Sequence, residues 1–146
     1  MTENSHTFRG AAGDDSKEPE KVYLSTHMGI RMLDVQHGRV VAELTIEQHH
    51  RAQNGYLHAG TVVTLADSAA GVGCTASLPE GAQNFTTIEL KSNFLGTAME
   101  GTICCEAQAV HMGRSTQLWD AVVTHKETGK KIAMFRCTQM VLYPRD

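Results

Sequence analysis

The segment NGYLHAGTVVTLADSAAGVG, residues 54–73, is rich in small and apolar residues and contains one acidic side chain. Between residues 59 and 78, Asp67 is the only group that is ionised at neutral pH. A lone carboxylate among apolar side chains is unfavourable unless it has a partner or a chemical role. This segment therefore predicts the main helix of the fold and, in Asp67, a candidate functional residue.

The predicted helix runs from Ala59 to Ser77 and is ended by the sequence Leu-Pro-Glu-Gly that follows. Its larger apolar residues recur every three or four positions and form one stripe, namely Val62, Leu65, Ala69, Val72 and Ala76. The other face carries Asp67 among small residues, namely Gly60, Thr64, Gly71 and Cys74. Because a single sheet covers only one side of a helix, we expect a second subunit against this face, with Asp67 near the dimer interface.

The start of the helix has the features of a ligand-binding terminus. Asn54-Gly55 is a turn signal, and His58 is followed by two small residues, Ala59 and Gly60, whose amides are accessible to a ligand. Unpaired amides at a helix start bind anions or polarise a carbonyl oxygen. Asp67 lies roughly 10 Å further along the same axis. A carbonyl bound at this terminus would therefore be reached by Asp67 of another helix, which predicts a site shared by two subunits.

The rest of the chain has the period of two that is typical of strands. Residues 30–46 predict two strands joined by a turn at His37-Gly38, and residues 47–58 predict a connecting loop. Further strands are predicted at residues 85–95, 101–113, 115–125 and 130–143. In the first of these, one face carries Ile88, Leu90, Ser92 and Phe94. The order β-β-α-β-β-β-β predicts an α+β fold, with the helix against the concave side of a curved antiparallel sheet of five to six strands.

Composition narrows the possible functions. The chain has 146 residues, 20% charged and 41% hydrophobic, which is typical of one globular domain. A net charge of -3 without a basic cluster argues against nucleic acid as a partner, and no apolar run approaches the roughly 18 residues of a membrane helix. Residues 1–20 predict a disordered tail without a signal peptide, and residues 21–146 the folded domain. The expected location is the cytoplasm.

The histidines and cysteines do not predict a metal site or another cofactor. His49 and His50 are neighbours whose side chains are expected to diverge in a strand or loop, and the chain has no Cys-x-x-Cys pair. The four cysteines are interpreted as buried free thiols that pack as small apolar groups, namely Cys74, Cys104, Cys105 and Cys137.

The residues from Leu57 to Ala69, L-H-A-G-x-x-x-x-L-A-D-x-A, resemble the motif H-G-G-x-x-x-x-L-x-D of the hotdog-fold thioesterases. The strand from Thr86 to Leu95, T-T-I-E-L-K-S-N-F-L, strengthens the likeness, and the order of elements agrees over residues 25–143. The sequence is similar to the branch related to the phenylacetate-degradation acyl-CoA thioesterase. The resemblance implies a helix wrapped by a curved sheet, homodimers that often pair into homotetramers, and hydrolysis of an aryl- or short- to medium-chain acyl-CoA.

The resemblance also implies roles for single residues. Asp67 matches the helical acid that either attacks the thioester carbonyl or activates water. Ala59 matches the glycine whose backbone N–H holds the carbonyl oxygen, and the role survives the change because the donor is main chain. Thr87 matches a hydroxyl that, in one branch, places the nucleophilic water. A different branch uses a hydroxyl one turn after the acid, where this chain has Gly71.

Some assignments remain open between alternatives. The family has Asn or Gln six residues before the histidine, where this chain has Ala52, so Asn54 is favoured for that role and Gln53 is the alternative. His58 either touches the thioester or is held by backbone hydrogen bonds. Candidates for binding the CoA phosphates, with solvated surface residues as the alternative, are Lys91, Arg114 and Ser115.

Two other functions fit the same scaffold. The first is an acyl-thioester hydratase or dehydratase, in which His58 and Asp67 work together across a dimer. The second is a non-catalytic acyl-CoA-binding module. A thioesterase is favoured because hydrolysis of a thioester needs an oxyanion donor and a base or nucleophile but little help for the thiolate leaving group. The chain has no G-x-S-x-G motif, so a serine triad of the hydrolase type is not expected.

Overall fold

A computed structural model describes residues 21–146, so the predicted tail at residues 1–20 lies outside the described residues. The helices are α1 (Leu24–His27) and α2 (Ala59–Ala76), with a short 3₁₀ helix at Gln48–His50. The strands are β1 (Arg31–Gln36), β2 (Arg39–Thr45), β3 (Asn84–Phe94), β4 (Thr102–Met112), β5 (Thr116–His125) and β6 (Lys131–Leu142). Over this part of the chain no helix has both the length and the hydropathy to cross a membrane. The predicted order of elements is confirmed.

The six strands form one antiparallel sheet in the order β1-β2-β4-β5-β6-β3. After α2 the chain crosses to β3 at the far edge, and β4, β5 and β6 fill the space between β2 and β3. β3 is an edge strand of 11 residues that pairs with β6 and, among the described residues, with no other strand. A register shift between Thr87 and Glu89 marks a bulge at Ile88. This bulge changes the strand's alternation, so Thr87, Leu90 and Ser92 face the same side of the sheet.

The sheet curves around α2. The 18-residue helix contacts all six strands. It runs along the strands rather than across them, because Phe85 at one end of β3 lies against Gly71 and Phe94 at the other end lies near the first helical turn. A flat six-stranded sheet is roughly 24 Å wide, whereas a helix with its side chains is about 10 Å wide. Contact with every strand therefore requires the sheet to wrap the helix, and the predicted α+β hotdog architecture is confirmed.

The core lies between α2 and the concave face of the sheet. Leu65 and Trp119 are fully buried there, and the ring of Trp119 crosses the helix at Gly73. A Cβ atom on Gly73 would lie 2.5 Å from that ring, so a glycine is needed for helix and sheet to approach this closely. Two hydrogen bonds fix the indole, because its Nε1–H donates to Gln117 and the Gln117 amide donates to the carbonyl of Ser77.

The buried face of α2 differs from the predicted stripe at several positions. Cys74, assigned to the face of Asp67, is buried, and Ala76, assigned to the apolar stripe, is exposed in the last helical turn. The cause is the curvature of the sheet, which covers more of the helix circumference than a flat sheet would. Burial consequently extends to Ala66 and Ala70, outside the predicted stripe. The helix also ends one residue earlier than expected, with Ser77 as its C-cap.

A candidate thioester site on the central helix

The N-terminus of α2 is capped by the side chain of His58. The His58 Nδ1 atom accepts a hydrogen bond of 2.8 Å from the backbone N–H of Gly60. An accepting Nδ1 carries no proton, so the neutral ring has its proton on Nε2. The carbonyl of His58 accepts from Thr61 N–H at 3.0 Å. His58 is therefore held by the backbone, as one of the two predicted alternatives stated, and its exposed ring has an N–H available to donate.

This cap leaves one amide of the helix start unpaired. The amides of Gly60 and Thr61 are satisfied by His58, whereas the N–H of Ala59 has no partner among the described residues. Ala59 is the first residue of the helix and is exposed. A free N–H at this position points along the positive end of the helix dipole and can bind a developing oxyanion. The residue predicted to supply the oxyanion donor thus has its donor free.

An apolar cavity adjoins the helix start. It has a volume of about 170 Å³, and its wall includes Leu57, Ala59, Val62, Phe94, Gly96, Thr97 and Ile132. No charged side chain contributes to this wall. An uncharged group of modest size fits such a cavity, with one end beside the unpaired N–H of Ala59.

Asp67 lies two turns further along α2 with its carboxylate partly buried. Its Oδ1 atom is buried and has no hydrogen-bond partner among the described residues. Burial raises the pKa of this carboxyl above its ordinary value of 3.8. An unpaired buried carboxylate oxygen is rare in native structures, because it costs free energy that a structural role would normally recover through hydrogen bonds. The geometry fits a group that meets a ligand or a second subunit.

The alignment of α2 and β3 brings Asp67 and Thr87 to the same level along the helix and the strand. A Cβ atom on Gly71 would lie 3.1 Å from the ring of Phe85, and at the other end of the strand Phe94 shares a cavity with the first helical turn. α2 and β3 therefore run antiparallel. From the Gly71–Phe85 contact, one helical turn back and two strand residues forward are both steps of about 6 Å. These two steps lead to Asp67 and Thr87.

A chain of buried side chains connects Thr87 to the neighbourhood of Asp67. The Thr87 hydroxyl donates to Gln139 Oε1 at 2.8 Å, and the Gln139 amide donates to the sulfur of Cys137 at 3.3 Å. Gln139 is fully buried on β6 opposite Thr87. Burial first, and then the negative charge of Asp67, raise the pKa of Cys137 to about 12, so this thiol stays protonated beside the carboxylate.

The remaining predicted residues near the helix start lie on the loop before it. Asn54 is exposed, and its Oδ1 accepts from Tyr56 N–H at 3.1 Å, which leaves the side-chain NH₂ free to donate. Gln53 is exposed and has no hydrogen bond within the described chain. His50 anchors this loop, because it is buried and its ring bonds to Glu47 N–H and to the carbonyl of Met28. Burial lowers the pKa of His50, which favours the neutral ring that holds the loop in place.

The three residues predicted to bind CoA phosphates lie apart from each other. Lys91 is exposed and pairs across the sheet with Arg136, on the convex side away from α2. Arg114 and Ser115 form the turn between β4 and β5, where the guanidinium of Arg114 stacks 5.4 Å from the centre of the Tyr143 ring. The Tyr143 hydroxyl donates to the Arg114 carbonyl at 2.6 Å. Within one chain these groups do not converge on one point.

The face of α2 that carries Asp67 is only partly covered by its own chain. Gly60 and Thr75 are exposed on this face, and Thr64, Asp67 and Gly71 are partly exposed. The adjacent edge strand β3 exposes large apolar side chains, namely Ile88, Leu90 and Phe94. We refer to this helix face and the β3 edge together as the helix groove. Its contiguous apolar and small residues are typical of a protein interface.

Sequence reasoning missed Gln139, which joins Thr87 to Cys137. The alternation of β6 places Gln139 at an inward position, since every second residue from Phe135 to Val141 is buried. A single amide in such a run of inward positions requires a hydrogen-bonding partner opposite. Among residues 21–146, no group of three or more His, Cys, Asp or Glu side chains is arranged to hold a metal ion.

Comparison with known proteins identifies a family. Residues 54–132 match the family model described as the thioesterase superfamily. A 1,4-dihydroxy-2-naphthoyl-CoA hydrolase from Listeria monocytogenes is 34% identical over 79% of this chain and 92% of its own length. A thioesterase family protein from Silicibacter pomeroyi has 30% identity and a TM-score of 0.75, covering 83% of this chain and 90% of its own. The PaaI protein of the Escherichia coli phenylacetic acid degradation operon, at 22% identity, shares the fold with a TM-score of 0.74 over 81% of this chain and 83% of its own.

The raised pKa of Asp67 has a consequence for stability. Since the folded chain holds the Asp67 proton more tightly than the unfolded chain does, ionisation of this group destabilises the fold as pH rises above 3.8. Asp67→Asn should therefore increase the free energy of unfolding at pH 7 by about 1 kcal/mol, because a neutral amide is less costly to bury than a carboxylate. The difference in the free energy of unfolding between Asp67→Asn and wild type should become smaller as pH falls toward the ordinary pKa of an aspartate.

Urea titrations of both proteins at several pH values measure this difference. Asp34→Asn is the matched control, because Asp34 is partly exposed and paired with Arg39 at 3.1 Å. A variant at position 67 that is less stable than wild type at pH 7 would contradict the interpretation of Asp67 as an unpaired buried charge.

Proposed function

This chain belongs to the thioesterase superfamily and is a thioester hydrolase of the hotdog fold, similar to PaaI, and we propose that it hydrolyses acyl-CoA with Asp67 as the catalytic base. The observation that carries the proposal is the buried, unpaired Asp67 oxygen in the helix groove. A base of raised pKa accepts a proton more readily than an ordinary aspartate, which suits proton transfer near neutral pH.

The attacking group in this proposal is a water molecule between Asp67 and Thr87. Because the Thr87 hydroxyl gives its own proton to Gln139, its oxygen can only accept from the water. The water then donates one hydrogen to Asp67 and the other to Thr87, which leaves a lone pair for the thioester carbon. Asp67 as a direct nucleophile is the alternative, and the position of Thr87 favours the base.

The oxyanion donor comes from the N–H of Ala59. Attack on the carbonyl carbon places negative charge on the carbonyl oxygen, and a preorganised backbone N–H stabilises that charge without reorganising. The exposed Nε2–H of His58 is adjacent and is a second possible donor. Collapse of the tetrahedral intermediate breaks the C–S bond, and the CoA thiolate takes a proton from the acid form of Asp67 or from water.

We infer that Asp67 and Ala59 of one site come from different subunits. The two residues are eight positions apart on one rigid helix, about 12 Å along its axis, which is too far for one thioester group to contact both. A second copy whose α2 packs in the helix groove would place its own Ala59 opposite Asp67. Pairing of two β3 edges would also satisfy the free backbone groups of this strand and cover its apolar side chains. Pairing of two such dimers into a tetramer, implied by the family resemblance, remains a prediction.

The substrate is proposed to be an aryl- or short- to medium-chain acyl-CoA. The cavity beside Ala59 supports an uncharged acyl group, since its wall is apolar and its volume is about 170 Å³. Asn54, with its free NH₂, and the small residue Gly60 border the same terminus and are proposed to contact the thioester. Lys91, Arg114 and Ser115 remain predicted contacts of the CoA phosphates.

The state of His58 argues for hydrolysis over hydration. A hydratase would need this histidine as a base toward the substrate, whereas the cap keeps the proton on the atom that faces outward. The ring could accept a proton there only by giving up its hydrogen bond to Gly60. Asp67 is thus the better base of the two.

The first test of this proposal replaces the base. Asp67→Asn keeps the size of the side chain but removes its ability to accept a proton, and we expect turnover to fall at least ~100-fold. Thiol release is measured for benzoyl-CoA, butyryl-CoA and octanoyl-CoA. Asp34→Asn, on the strand at the opposite edge of the sheet, should retain wild-type turnover. Unchanged thiol release by Asp67→Asn would remove Asp67 from the mechanism.

The second test removes the oxyanion donor and leaves the helix intact. Ala59 occupies the first helical position, where proline is well tolerated, and His58 before it has the extended backbone that proline requires, with φ -69° and ψ 136°. Ala59→Pro eliminates the N–H and adds the bulk of the ring, and we expect turnover to fall about 10²–10³-fold. Ala59→Val adds bulk but keeps the N–H, so it should lose far less. Equal activity in the two variants would show that this amide has no role.

The third test asks whether the site is shared. Co-expression of Asp67→Asn with Ala59→Pro should restore about a quarter of wild-type activity, because half of the dimers are mixed and one of their two sites contains neither change. If both residues of a site came from one chain, every site would carry a defect and activity would stay at the level of the single variants. Sedimentation of the mixture verifies that it is dimeric or larger.

A further inference from the structure

Gln139 is a buried polar residue whose hydrogen bonds lead toward the reacting atoms. Its side chain is fully buried, so it contacts neither substrate nor solvent. Its carbonyl oxygen accepts from the Thr87 hydroxyl at 2.8 Å, and its NH₂ donates to the Cys137 sulfur at 3.3 Å. Because the NH₂ is used on the Cys137 sulfur, the carbonyl oxygen is the end of the amide that faces the Thr87 hydroxyl.

The direction of the Thr87 hydroxyl depends on this amide. A threonine hydroxyl has one proton and two acceptor sites, and a free hydroxyl can present either to a neighbouring water. Donation to Gln139 removes the choice, so that only acceptor sites remain toward the helix groove. A water held there is turned with its hydrogens toward Thr87 and Asp67 and its lone pair toward the substrate.

We propose that Gln139 is a positioning residue for hydrolysis, which sets the hydroxyl of Thr87 so that its oxygen orients the attacking water. This rests on the proposed function of Asp67 and Thr87. Without the amide, the Thr87 hydroxyl is free to donate to the water oxygen and thereby to occupy the lone pair that attacks. The reaction would then be slowed in its chemical step while binding of acyl-CoA is unchanged.

A second buried glutamine, Gln117, is the matched control for the contribution of Gln139 to stability. Gln117 is also fully buried, accepts from Trp119 Nε1–H at 2.8 Å and donates to the carbonyl of Ser77 at 2.9 Å. It lies near the end of α2, away from Asp67. Gln117→Met and Gln139→Met remove the same chemical group from similar surroundings, so they should lower the melting temperature to a similar extent.

The experiment is a double-mutant cycle measured by thiol release from the best substrate among benzoyl-, butyryl- and octanoyl-CoA. We expect Thr87→Val and Gln139→Met each to lower kcat about 10-fold, with KM within about 2-fold of wild type. The double variant should lose no more than Thr87→Val alone, because Gln139 acts through Thr87. Gln117→Met should keep kcat within about 2-fold of wild type.

Gln139→Glu provides a rescue that does not depend on the stability of the methionine variant. A carboxylate still accepts the Thr87 proton, so kcat at the pH optimum of this variant should recover to within about 3-fold of wild type. A Glu variant as slow as Gln139→Met, a double variant whose losses multiply to about 100-fold, or an unchanged kcat in Gln139→Met would each overturn the proposal.

The outcomes separate this inference from the function on which it rests. Full turnover in Asp67→Asn would overturn both. A loss in Asp67→Asn together with wild-type kcat in Thr87→Val would leave the base in place and refute the role of the threonine, and with it that of Gln139. If kcat falls in both Asp67→Asn and Thr87→Val but keeps its wild-type value in Gln139→Met, only the positioning role of Gln139 is refuted.

Discussion

The enclosure of α2 by a single sheet is the constraint on which the rest of the structure depends. The sheet contacts the helix from all six strands, yet one helix face remains outside it. Close packing on the covered side requires Gly73 against Trp119, and on the open side small residues surround Asp67. The fold thus leaves open a groove with a carboxylate in its wall. The chemistry proposed at this groove would use surface that the single chain leaves uncovered.

The same helix accounts for both halves of the proposed site. Its first turn leaves one amide unpaired because His58 caps its neighbour, and its middle presents a carboxylate whose pKa is raised by burial. One group stabilises negative charge and the other accepts a proton, which are the two requirements of thioester hydrolysis. Their separation along the helix prevents the carboxylate from accepting a hydrogen bond from this amide within one chain. In the proposed dimer, two antiparallel copies would bring them together across an interface.

The sequence was sufficient for the features that depend on local pattern. The period of two in the strands, the turn at His37-Gly38 and the lone charge at Asp67 predicted the order of elements, the sheet and the residue at the centre of the groove. It was insufficient where long-range geometry decides. Ala66 and Ala70 are buried because the sheet curves further around the helix than periodicity on the helix alone can indicate. The 3₁₀ turn at residues 48–50 depends on a His50 bond to Met28, 22 residues away.

The bulge at Ile88 is a local irregularity of β3 that decides which side of the sheet Thr87 faces. A regular strand would place Thr87 on the opposite face from Leu90 and Ser92, and so away from α2. The extra residue brings Thr87 to the helix side, opposite the buried Gln139. Sequence alternation predicted Ile88 with Leu90 on one face and contained no sign of the shift. Because a hydroxyl is useful for orienting water only on the side of the carboxylate, the bulge is the structural condition for any joint action of Thr87 and Asp67.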